Sequence, residues 1–121
     1  MAMRNYRDLI VWQKGMDLVA AVYQATQSFP TEERFGLTSQ MRRAAVSIPS
    51  NIAEGQGRDS AREFKHFLSI SYGSLCELQT QLLLSERLSF LDHQSTQSVF
   101  DRTDEVARPL NGLSNSLTEK L

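Results

Sequence analysis

Apolar residues recur at Leu9, Trp12, Met16, Val19 and Tyr23 in steps of three and four. That spacing lines one side of a helix and predicts a first helix over residues 5–28. Phe29-Pro30 stops it. Gly36 and Thr38 then mark the next start, a flexible residue followed by a hydroxyl able to cap free amides. A second stripe, Leu37, Met41, Ala44, Ile48, Ile52 and Gly55, keeps the same phase straight past Pro49. A break at the proline would let the phase slip, so one helix with a bend is expected over 38–57. Pro49 lacks the amide that would bond the Ala45 carbonyl, which costs about 3 kcal/mol unless tertiary packing compensates.

Gly55-Gln-Gly-Arg-Asp59 reads as a turn, and Ser60-Ala-Arg-Glu63 has the spacing of a capping box, serine and glutamate each satisfying an amide. A third helix over 60–88 follows with the stripe Phe64, Leu68, Ser71, Leu75, Leu78 and Leu82. Gly73-Ser74 lies in mid-helix, where glycine costs about 1 kcal/mol against alanine, so a close backbone approach is expected there. Asp92 caps a fourth helix over 92–119, with Val99, Val106, Leu110, Leu113 and Leu117 inward and Pro109 leaving the phase intact. Long amphipathic helices on short links predict an all-α fold: an up-down antiparallel four-helix bundle, one domain over 1–121.

Composition narrows the function classes. Thirteen Lys and Arg against fourteen Asp and Glu give a net charge of −1, so no global basic field points to nucleic acid. One cysteine, Cys76, excludes an intrachain disulfide and a multi-cysteine zinc site. The start, Met-Ala-Met-Arg-Asn-Tyr-Arg7, lacks a leader's apolar run, and no stretch approaches a membrane span. A cytoplasmic protein is expected, with no membrane partner.

The segment Gln40-Met-Arg-Arg-Ala-Ala-Val-Ser-Ile-Pro-Ser-Asn-Ile-Ala-Glu-Gly55 resembles the signature of the four-helix-bundle proteins encoded by intervening sequences in bacterial 23S ribosomal RNA genes. Trp12, Phe29-Pro30 with Glu33, Phe35-Gly-Leu-Thr38 and Gly73-Ser-Leu-Cys-Glu-Leu78 extend the likeness over nearly the whole chain. The resemblance implies a homopentamer, no established enzymatic activity and an unsettled biological role. It also implies a structural motif made of Arg43, Ser47, Pro49, Asn51, Glu54, Gly55, Gly73, Ser74 and Glu77. A related protein, the accessory variability determinant of diversity-generating retroelements, is pentameric and strongly basic and binds a reverse transcriptase and nucleic acid; the near-neutral charge here departs from it. A non-enzymatic oligomeric scaffold or binding module is thus expected. The alternative is a weak RNA- or DNA-binding accessory protein with a reverse transcriptase partner.

Several residues carry chemistry of their own. Gln40, Arg43, Ser47, Asn51, Glu54 and Arg58 form a polar stripe expected to bond to neighbouring helices or subunits, the alternative being a ligand groove. Antiparallel pairing of the second and third helices predicts an Arg43–Glu77 ion pair. Arg34, Arg42, Arg58, Arg62 and Lys65 are candidate nucleic-acid contacts, diluted by neighbouring acids. Glu63-Phe-Lys-His66 has a metal-ligand spacing, but a di-iron bundle needs two such motifs and further glutamates, so no metal and no cofactor is expected. Cys76 is expected to be a small core residue, His66 to sit on a helix surface, and Trp12 and Tyr23 to serve packing. Ile10, Val11, Val22, Phe67, Ile70 and Leu84 lie off their stripes and are expected at the surface, where apolar patches mark an interface.

Overall fold

The structure, a computed structural model, describes residues 5–121; Met1 to Arg4, which begin the stretch read as lacking a leader, lie outside the described residues. Four α-helices and no strand occur among those described: α1 (Ile10–Thr26), α2 (Leu37–Gln56), α3 (Ala61–Arg87) and α4 (His93–Thr118). The first helix begins later than its apolar spacing suggested. Asn5 Oδ1 accepts from the Arg7 amide at 2.9 Å, which caps a single 3-10 turn at Tyr6–Asp8, and Leu9 is extended before α1 starts. At the far end α1 stops at Thr26, short of Phe29-Pro30, as expected of a residue pair that disfavours continued helix.

The ends of the other helices show their chemistry directly. Glu33 Oε1 accepts from the Leu37 amide at 3.0 Å and caps α2, the role expected of Thr38, which instead lies buried inside the helix. Ser60 Oγ accepts from the Glu63 amide at 3.1 Å and opens α3. The reciprocal half of the capping box is altered, since the Glu63 carboxylate takes the Ser60 hydroxyl at 3.4 Å. Asp92 Oδ1 accepts from the Ser95 amide at 2.7 Å and opens α4. After α3, Ser89 turns left-handed with φ 63°, while Ser89 N donates to Glu86 O and Phe90 N to Ser85 O at 3.0 and 2.9 Å. That double closure satisfies the last carbonyls without the glycine usually found at such an end.

Each helix packs against two others in the order α1, α2, α3, α4 and back to α1. Leu18 and Val22 of α1, Met41, Ile48 and Ile52 of α2, Leu68, Leu75, Leu78 and Leu82 of α3, and Val106 and Leu110 of α4 are fully buried in one apolar cluster. The stripes read for α2, α3 and α4 are the ones that face this core.

The α1 stripe is a correction. Val11, Gly15, Leu18, Val22 and Thr26 face inward, whereas Met16 and Tyr23 are exposed and Trp12 and Val19 only half-buried. Val11 and Val22, expected at the surface, are therefore core residues; Ile10, Ile70 and Leu84 are exposed and Phe67 is half-buried. The reason lies at Gly15. Its missing side chain lets α1 lie against the buried Pro49 ring, with only 3.3 Å between a Cβ placed there and the Pro49 Cβ.

That contact also explains how α2 runs unbroken through a proline. Packing on Gly15 holds the ring, and side-chain donors reach the two carbonyls just before it. Asn51 Nδ2 donates to Ser47 O at 2.8 Å and Ser71 Oγ to Ile48 O at 2.9 Å. Neither bond replaces the amide lost at Ala45 O, but together they tie the proline turn to Asn51 and to α3.

Candidate functional site

Two polar groupings on α2 need separating. Along the α2–α3 seam, Ser47 Oγ and Ser74 Oγ are hydrogen-bonded at 2.9 Å, and Asn51 Nδ2 also donates to Ser47 Oγ at 2.9 Å. Deeper in, Ser85 Oγ donates to Gln81 O at 2.8 Å. Gln81 itself is buried, and its Oε1 has no hydrogen-bond partner. Of the stripe, Ser47 bonds across to α3, whereas Asn51 bonds back to Ser47 within α2. The expected Arg43–Glu77 pair is not made: both side chains are exposed, and Glu77 Oε2 instead meets Gln81 Nε2 at 3.5 Å. The short Ser47 and Ser74 side chains meet in the seam, and the longer charged groups of Arg43 and Glu77 lie exposed outside it.

The motif glycines also divide. Gly55 is buried against α3, and a Cβ on it would fall 2.6 Å from the Phe67 Cβ. Gly73, expected at a close approach, is exposed with nothing within 4 Å of a Cβ. Backbone crowding thus occurs at the end of α2 and not in the middle of α3.

The basic residues fall into two sets toward opposite ends of α2, on the order of 20 Å apart at a rise of about 1.5 Å per residue. At the α2–α3 turn, Arg58 Nη2 pairs with Glu54 Oε2 at 2.7 Å while its guanidinium covers the Phe67 ring at 4.8 Å. Lys65 Nζ donates to Ser114 Oγ at 3.0 Å across to α4, and with Arg62, His66 and Tyr72 it borders a cleft of about 320 Å³. His66 is exposed and meets Phe67 edge-on. Cys76, expected in the core, is exposed on α3. No group of three or more His, Cys, Asp or Glu able to hold a metal ion occurs among the described residues.

At the other end, Arg34, Arg42 and Arg43 line a single cleft of about 600 Å³ together with Tyr23, Phe35 and Val46. Arg42 is held in place. Its Nε donates to Thr26 Oγ1 at 2.9 Å, its Nη2 to Tyr23 O at 3.3 Å, and its guanidinium lies over the Tyr23 ring at 4.5 Å. Thr26 in turn donates to Val22 O at 2.8 Å, so a buried hydroxyl anchors the arginine from beneath. Arg34 lies over the Phe35 ring at 4.9 Å, and that ring is 85% exposed. Among the described residues none of these three arginines pairs with a carboxylate, although Arg58 does.

Such a cleft offers positive charge beside aromatic faces, a combination suited to anions that carry flat rings. Sequence reasoning did not place Tyr23 and Phe35 in it. The signal was there in Arg34-Phe35 and in the Tyr23-to-Arg42 interval, but only the α1–α2 crossing brings the two pairs together. A groove of about 360 Å³ continues beside the core along α1 and α2, bordered by Trp12, Met16, Val46 and Pro49, with Tyr6 set edge-on to Trp12 at 5.3 Å.

The model of the family described as 23S rRNA-intervening sequence protein matches residues 7–112. The chain belongs to that family. A search among curated proteins finds no match. The match takes in α1, α2, α3 and most of α4, and with them the serine seam, the arginine cleft and all of the second cleft but Ser114. Membership in the intervening-sequence family agrees with the four-helix architecture; no helix among the described residues is long and apolar enough to cross a membrane.

Proposed function

We propose that this member of the intervening-sequence family is a non-enzymatic building block that assembles with copies of itself and serves in the cytoplasm as a scaffold or binding module. Its unit is one domain, an up-down antiparallel four-helix bundle. Partner residues support that order: Ser47 meets Ser74 while Met41 meets Ser85, Lys65 meets Ser114 while Gln79 meets Thr103, and Gly15 meets Pro49 while Thr26 meets Arg42. In each pair the number rises on one helix as it falls on the next.

The observation that carries the assembly is a pair of apolar faces on different sides of the bundle. Met16 of α1 is exposed at the groove it shares with Trp12, and Leu83 and Leu84 of α3 are exposed together at another. Exposed apolar patches of this kind mark interfaces. Two different faces suit a head-to-tail ring, in which each subunit covers one face of the next and the ring closes when the rotation per step divides the circle. The number five rests on the family resemblance. Light scattering at micromolar concentration tests the reading: a pentamer mass is expected, a dimer or tetramer would remove the stoichiometry, and a stable monomer would remove the assembly.

A second reading, an accessory protein that binds RNA or DNA, is supported by the three arginines without carboxylate partners around one cleft. With a net charge of −1, such binding would be local. Loss of binding with rising salt is its test.

A further inference from the structure

We propose that the cleft between the end of α1 and the start of α2 binds a nucleotide unit, its base stacked on Phe35 and its phosphate held by Arg42 and Arg43. This rests on the nucleic-acid reading above and gives it a place.

Phe35 is the most exposed large apolar side chain described, at 85%, and Arg34 lies against its ring. A flat ring left in water beside a guanidinium is a stacking surface for another flat ring. Arg42 supplies the complementary half. Two of its N–H donors are used by Thr26 Oγ1 and Tyr23 O, and the Tyr23 ring supports its plane, so its remaining donors are already oriented. A guanidinium held this way loses little freedom on gripping a phosphate, and its fork matches phosphate oxygens. Arg43, one residue on, is exposed and borders the same cleft. Thr38, Ser39 and Ser47 add hydroxyls to the lining, and about 600 Å³ falls within the range of pockets that hold small ligands. A carboxylate-bearing peptide would satisfy the arginines but would leave Phe35 without a role. The base-and-phosphate unit uses both.

Its source is either a free nucleotide or a single strand. Binding of fluorescein-labelled decauridylate and of AMP should be measured on the full chain in its solution assembly, for the wild type and for Phe35→Ala, Arg43→Ala and the pair Arg62→Ala with Lys65→Ala. Phe35 and Arg43 are exposed, and unchanged helicity by circular dichroism verifies that their variants fold. The expected result is binding weakened roughly tenfold by Phe35→Ala, from loss of one stacked base. Arg43→Ala should weaken it too and reduce the salt slope of strand binding by about 0.7, the share of one neutralised phosphate on a single strand. The Arg62/Lys65 pair should leave binding unchanged. Strand binding with this pattern supports a strand as the source, and AMP binding with the same pattern, the strand binding no tighter, supports a free nucleotide. Strand binding that ignores Phe35→Ala and Arg43→Ala but is lost in the Arg62/Lys65 variant overturns the cleft while keeping the nucleic-acid reading. No binding of either probe at millimolar concentration overturns both. A polyglutamate peptide bound as tightly and with the same dependence on Phe35 also overturns the proposal.

Discussion

Gly55 of α2 faces Phe67 of α3 so closely that a methyl group on Gly55 would lie 2.6 Å from the Phe67 Cβ and 3.0 Å from Phe64 Cδ1. The Phe67 Cβ cannot swing away, because that atom is fixed to the helix backbone. Alanine is intrinsically the better helix residue by about 1 kcal/mol, but overpacking a tight contact costs about 1–3 kcal/mol. Gly55→Ala should therefore lower the melting temperature. Gly73→Ala should raise it, since a Cβ there has open space and only the propensity gain remains. Thermal melts of the two variants check the signs; a rise for both would contradict the packing of α2 on α3.

Glu77 is exposed and makes no ion pair with Arg43, so Glu77→Ala should change unfolding stability by no more than about 0.5 kcal/mol. Ser71 is buried and donates to Ile48 O just before Pro49. Ser71→Ala should cost about 1 kcal/mol by removing that buried bond between α3 and α2. Urea unfolding of both variants would refute this ranking if Glu77→Ala proved the more damaging.

Asp92 titrates below its ordinary value of 3.8 because the Ser95 backbone amide, and then the Ser95 hydroxyl, bond to the carboxylate, with His93 adding a favourable charge. A carboxylate whose pKa is lower in the folded state stabilises the fold above the unfolded pKa, and that contribution is lost as pH falls through the folded value. Asp92→Asn keeps a capping acceptor and removes the charge. The wild type should melt above this variant at neutral pH, and the gap should close as pH is taken from about 5 down to 2. A gap that stays constant over that range would assign the difference to something other than the carboxylate.

If the two apolar faces join neighbouring copies, a charge on either should reduce the assembled mass. Met16→Glu and Leu84→Glu alter exposed positions at the two different grooves, so helicity should be unchanged. Analytical ultracentrifugation should show both as smaller species, and mixing the two variants should restore only short assemblies, because each keeps one intact face. Wild-type sedimentation of both would remove these faces from the interface.

How the sequence relates to the fold differs from helix to helix. On α2, α3 and α4 one apolar stripe keeps its phase along the helix, so a period near 3.6 was enough to identify Met41, Ile48, Leu75, Leu82 and Val106 as core. Local chemistry likewise announced Ser60 and Asp92 as caps, because a cap bonds to amides within three residues of itself. On α1 apolar residues occur on two adjacent stripes, and periodicity could not choose between them. The choice fell to Gly15, which is legible only once Pro49 of α2 is seen lying against it. The cleft has the same character. Arg34, Arg42 and Arg43 were readable as basic residues, but their grouping with Tyr23 and Phe35 depends on where α1 crosses α2. The Arg43–Glu77 pair failed for a related reason: a register sum brings two residues to the same height along neighbouring helices without saying whether their side chains turn toward each other. The inward faces of three helices and the caps of two were legible in the chain itself, because they depend on neighbours a few residues away. The rotation of α1, the crowded glycine and the membership of the cleft were set by tertiary structure, because each depends on atoms that only helix packing brings together.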